Sequence, residues 1–198
     1  MRRKWFLLLL VIVAVGAVLV YKKRHAGPPV SLVPDPVPGQ FALTSTAFRN
    51  GGPIPPFYTC DDKNRSPALQ WRDAPRGTES FALVMEDPDA GIGGFTHWLM
   101  CDMPGTEQEM SPGVAAMDII SVPFSAVQGK NDFADVGYGG PCPPPGKVHR
   151  YVIRLYALDA TLDLMGGFAK YQLNAAMKGH VLGEAGIMGV YKRAEEGS

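Results

Sequence analysis

Residues 137–156, GYGGPCPPPGKVHRYVIRLY, set a rigid loop directly against a strand-like run. In the loop, Gly137, Gly139 and Gly140 let the backbone come close to a ligand, while Pro141, Pro143, Pro144 and Pro145 fix φ and remove amide donors. The few remaining N–H groups, near Gly140 and Cys142, can then be aimed outward. His149 and Tyr151 lie two apart where the alternation of a strand begins, so both fall on one face and Arg150 on the other.

A proline- and glycine-rich connection before a strand is ordinarily a plain turn. A second stretch gives this one more weight. Asp87-Pro88-Asp89-Ala90 closes the apolar run Phe81 to Met85, and Phe95-Thr96-His97-Trp98 opens another. Acids at one strand end and a histidine at the start of the next can bring carboxylate and imidazole together. Arg150, facing away from His149, suits an ion pair with a carboxylate such as Asp89.

With these motifs in hand the sequence resembles the phosphatidylethanolamine-binding proteins, in their bacterial Raf-kinase-inhibitor-like branch. The resemblance runs from about Phe41 to Arg193 and includes Tyr58-Thr59-Cys60-Asp61 and Gly179-His180-Val181-Leu182. It implies a Greek-key β-sandwich with peripheral helices, and a shared pocket holding Asp87, His97 and His149. It also implies recognition of phosphate-bearing or phospholipid head groups and, in relatives, inhibition of kinases. Where the family usually follows Asp-Pro-Asp-Ala with proline, this chain has Gly91. That points to a smaller, more flexible rim loop and away from kinase inhibition.

The patterning of the rest agrees with a mainly β domain. Strand-like runs fall at 68–71, 81–86, 97–102, 119–122, 151–158 and 187–191, separated by turn signals such as Pro75-Arg76-Gly77. One helix is predicted over 169–185, from Leu173, Met177 and Val181 at i, i+4, i+8.

Ahead of the domain (41–195), the basic cluster Met1–Lys4, the apolar run Trp5–Tyr21 and Lys22-Lys23-Arg24 form a segment, 1–26, that reads as a single-pass membrane anchor. The domain would then be periplasmic or extracellular. A cleaved signal peptide, giving a secreted form, is the other reading. Residues 27–40, rich in proline, form a linker.

Net charge is zero overall, but six basic residues sit in the first 24. Residues 31–198 therefore carry 13 basic against 19 acidic side chains, a net of −6. This acidic balance, without a basic stripe, disfavours nucleic acid as a partner.

Cys60, Cys101 and Cys142 have no zinc-like spacing, and a Cys60–Cys142 disulfide stays open if the domain is exported. Cys101 reads as a buried small hydrophobe.

The expected site is Asp87, His97, Gly140, Pro141, Cys142, Pro143, His149 and Tyr151, with no cofactor. Two imidazoles, a phenol and loop amides supply donors suited to a phosphate or carboxylate, so a binding protein for a small oxyanion ligand or a phosphorylated protein partner ranks first. A hydrolase using Cys142 and His149, or Asp87 and His97, ranks second. A metal site from Asp87, Asp89, His97 and His149 ranks last. His180 reads as structural.

Overall fold

In the computed structural model, which describes residues 33–195, the run Phe81–Met85 is buried on both faces, and the architecture follows from that. It lies in β3 (Ser80–Asp87), at the interior of a six-stranded antiparallel sheet. The order across that sheet is β6 (Ile119–Ile120), β7 (Ala126–Gln128), β4 (Phe95–Pro104), β3, β8 (Val148–Leu158) and β9 (Val181–Lys192). A smaller sheet has the order β1 (Ala42–Thr44), β2 (Leu69–Arg72), β5 (Glu109–Met110).

Side chains of a strand alternate between faces, so β3 serves two cores. Phe81, Leu83 and Met85 join Leu43, Leu69 and Trp71 of the small sheet. Ala82 and Val84 turn the other way, to Leu99, Cys101, Phe168, Leu173 and Met177. The second group includes the apolar face of α1 (Lys170–Ala176). The result is mainly β: a Greek-key β-sandwich with a peripheral helix.

The helix is shorter than the spacing predicts. α1 begins where Gln172 Oε1 accepts the Ala169 N–H at 2.8 Å, and it stops before Gly179, whose φ of +90° is left-handed. Leu173 and Met177 are buried, but Val181 is the first residue of β9 and 46% exposed. A full ladder against β8, from Leu158↔Val181 to Val148↔Lys192, outweighs the local helical period. His180 thus lies in the turn before β9 and not on a helix.

The expectation of a membrane anchor needs correcting as well. Among the described residues no helix is long and apolar enough to cross a membrane. The segment 1–26 on which the anchor and signal readings rest lies outside the described residues.

Candidate functional site

Three neighbouring strands of the large sheet bring their ends to one place. β3 ends at Asp87, and its partners on either side, β4 and β8, contribute His97 and His149 near their starts. Met85 pairs with Trp98 and Glu86 with Thr96, so His97 is the extra residue of a bulge on β4. Bulges re-aim a side chain, and this one releases His97 from the alternation of its strand.

The acids are fully engaged. Asp87, 2% exposed, accepts the Asp89 N–H on one oxygen at 2.8 Å and His149 Nδ1 on the other at 2.8 Å. Asp89 takes a two-pronged ion pair from Arg150, with Nε at 2.9 Å and Nη2 at 2.6 Å, and also its backbone N–H at 2.9 Å. The Arg150 hydrogen bonds hold the Asp89 carboxyl below its ordinary pKa. The predicted pairing of Arg150 with Asp89 is therefore present.

His97 is held differently. Its Nδ1–H donates to the Gly139 carbonyl at 2.6 Å, which leaves Nε2 as the free nitrogen. Burial pushes its pKa below the ordinary histidine value, against the opposing pull of the Gly139 carbonyl and the charge of Asp87. His97 therefore favours the neutral ring, on which Nε2 is an acceptor.

A cleft of about 380 Å³ opens between these strand ends and the proline-rich loop. Of the predicted residues, Asp87, His97, Cys142, Pro143 and His149 line it. Gly140, Pro141 and Tyr151 do not line it. The Gly140 N–H is not aimed at a ligand, because it donates to Asn64 Oδ1 at 2.7 Å. The Pro141 carbonyl accepts the Cys60 N–H at 3.2 Å. Tyr151 is fully buried with its ring edge-on to His97 at 5.2 Å. Its hydroxyl makes no hydrogen bond of good geometry; burial, then the nearby Asp87 charge, raises its pKa.

The glycines serve packing more than ligand approach. A Cβ on Gly139 would stand 2.6 Å from the Phe133 ring, and one on Gly140 would run into Asn64 Oδ1 and the Tyr58 carbonyl. The loop is docked on its own protein.

Cys142 is joined to Cys60 by a disulfide, with Cα atoms 5.4 Å apart. That removes the thiolate from the Cys142–His149 hydrolase, since a nucleophilic cysteine must be free. The Asp87–His97 version also changes, because Asp87 is bonded to His149 instead. Cys101 is the buried free cysteine, its thiol pKa raised by burial.

The sequence reading missed Phe95, Phe133, Pro144 and Lys147, all of which line the cleft. Asp89, read from sequence as a partner for Arg150 and as one member of the last-ranked metal set, lines it too. Asn131-Asp132 upstream of Phe133 is a turn signal that could have drawn attention to that loop. Among the described residues no group of histidine, cysteine and acidic side chains is arranged to hold a metal ion. Two other cavities, of about 230 and 340 Å³, are lined without histidine, and Arg154, Glu184 and Glu86 there are already paired.

Comparisons with known proteins agree with this fold. A family model described as phosphatidylethanolamine-binding protein matches residues 44–192. A protein of Aquifex aeolicus named UPF0098 is 45% identical over 75% of this chain and 86% of its own length. A UPF0098 protein of Methanothermobacter thermautotrophicus is 46% identical, over 76% of this chain and 98% of its own. Among solved structures, E. coli YbcL, described as a member of the mammalian PEBP family, superposes with a TM-score of 0.72 at 32% identity, covering 77% of this chain and 98% of that one. A phosphatidylethanolamine-binding protein homologue from Chlamydia trachomatis gives 0.71 at 37% identity, with 78% and 99% covered.

Proposed function

The chain belongs to the phosphatidylethanolamine-binding protein family, and on that premise we propose that its cleft binds a small phosphate-bearing or other oxyanion ligand, presented by a lipid head group or by a phosphorylated partner. The observation that carries this reading is the pair of half-tied imidazoles. His149 Nδ1 is held by Asp87 and His97 Nδ1 by the Gly139 carbonyl, so each ring keeps only Nε2 for whatever enters the cleft. Lys147 adds an ammonium group on the lining.

The two free nitrogens ask for different things. Lys147 suits the role of donor to an anionic oxygen, and His149 does so when its ring carries both protons. His97, kept neutral by burial, accepts a hydrogen, so the ligand atom it meets must donate. A phosphomonoester carrying one proton satisfies all three. A binding role fits better than hydrolysis, because Cys142 is oxidised and the acids are bound to imidazole, guanidinium or amide partners.

Calorimetric titration with a phosphomonoester from pH 5.5 to 8 tests the reading. Affinity should fall as pH rises through the second ionisation of the ligand, at about 6. Tighter binding at pH 8 than at pH 6, or no binding at any pH, would overturn it.

A further inference from the structure

Phe133 is a large aromatic side chain, 43% exposed, on the rim of the cleft. Exposure of a single ring means little, but this one is presented by a loop tied at several points. Asn131, itself 3% exposed, accepts the N–H groups of Phe133 and Asp135 at 3.0 and 3.1 Å and donates to the Gly137 carbonyl at 3.0 Å. Asp132 donates its N–H to the Thr96 carbonyl at 3.0 Å and accepts the Thr96 N–H at 2.7 Å, which clamps the loop to β4 beside His97. The Phe133 ring then meets Phe95 at 4.6 Å and His97 at 5.4 Å, both nearly edge to face. A ring fixed this firmly, with a large share of its surface left open to a cleft, has room for one more ring against it.

The cleft also exceeds what a phosphate ion fills. A phosphomonoester whose remaining P–O–H donates to Nε2 of His97 would place the group attached to it over the neighbouring Phe133 ring. We infer that Phe133 and Phe95 form an aromatic subsite beside the anion-binding floor, so that the ligand class favoured is an aryl phosphomonoester over an alkyl ester, an aminoalkyl ester or bare phosphate. This rests on the oxyanion reading above and adds a selectivity that the histidines cannot provide.

Titration of the intact chain with inorganic phosphate, phenyl phosphate, cyclohexyl phosphate and O-phosphoethanolamine separates the two claims. Phenyl phosphate should bind roughly 2- to 10-fold more tightly than cyclohexyl phosphate, the scale of one ring–ring contact beyond burial. In Phe133→Ala the ratio of phenyl to cyclohexyl affinity should fall to about one, and in Phe133→Tyr it should persist, on the same ring-contact argument. Should Phe133→Ala fold poorly, Phe133→Leu, which keeps the bulk and removes the ring, must abolish the ratio as well. Equal affinity for the phenyl and cyclohexyl esters, or for phenyl phosphate and O-phosphoethanolamine, overturns the aromatic subsite while leaving the oxyanion site standing. Absence of binding by all four probes overturns both.

Discussion

Two histidine–aspartate pairs in this molecule have the same bond and different surroundings. His149 Nδ1 meets Asp87 at 2.8 Å, and His180 Nδ1 meets Asp159 at 2.8 Å. The first pair has side chains 9% and 3% exposed at the meeting of three strand ends; the second is 46% exposed on both sides, in the turn before β9. Water competes for every hydrogen bond of the exposed pair and screens its charges. The buried pair instead borders the cleft, with His149 lining it and Nδ1 already held by Asp87. What separates the two pairs is burial beside an opening, not the bond itself.

The regions differ most in how they are fastened, and the largest effect should come from undoing that. Cys60 and Cys142 stand 82 residues apart in sequence, and Cys142 forms part of the cleft wall. Replacing both by serine should lower stability by about 4 kcal/mol on loop-entropy grounds, read from denaturant unfolding. A change below about 1 kcal/mol would mean that the loop is held by its packing alone.

Next in size is removal of the carboxylates. Asp87→Ala strands two buried donors, His149 Nδ1–H and the Asp89 N–H, and should cost about 3 kcal/mol. Asp159→Ala should cost well under about 1 kcal/mol. Equal losses would erase the distinction between the pairs.

Gly140→Ala sharpens the comparison at a position that does not line the cleft. Its Cβ would collide with Asn64 Oδ1 and the Tyr58 carbonyl, both of which anchor the loop, for a loss of about 2 kcal/mol by overpacking. Gly179, with open space around it, should lose stability on substitution only through its left-handed φ.

The smallest effect is a pH dependence. Because the folded state lowers the pKa of His97, the unfolded chain binds the extra proton first as pH falls. The contribution of His97 is therefore fully present above about 6.5 and is lost as pH falls from there toward the lowered folded value. Asp89, with its pKa lowered by Arg150, adds a loss only at more acid pH, below the ordinary carboxylate range. Thermal melts of the wild type and of His97→Phe between pH 7 and 5 should show the steeper decline in the wild type. Parallel declines would remove His97 as the cause.

Much of this was legible in the chain because it lies at strand ends. Asp87, His97 and His149 each adjoin a glycine- or proline-marked loop and an apolar run, so both their element and their side could be read locally. The bulge at His97 could not, since it depends on the register of β4 against β3. Phe133 and Lys147 were missed for a related reason. Their place in the cleft follows from how the loops dock, through Asn131, Asp132 and the Cys60–Cys142 bond, and docking leaves no periodic trace. The helix ran too long on paper because Val181 continued the spacing of Leu173 and Met177, while the stop signal at Gly179 was passed over.

The central claim is that the buried histidine pair serves a ligand and the exposed one does not. Calorimetric titration of a phosphomonoester into His149→Ala and His180→Ala, at pH 6, tests it directly. Loss of about 1.5–3 kcal/mol of binding free energy in His149→Ala, with His180→Ala matching the wild type, is the predicted result. Equal losses in the two variants, or an unchanged affinity in His149→Ala, would contradict the account and place the site elsewhere.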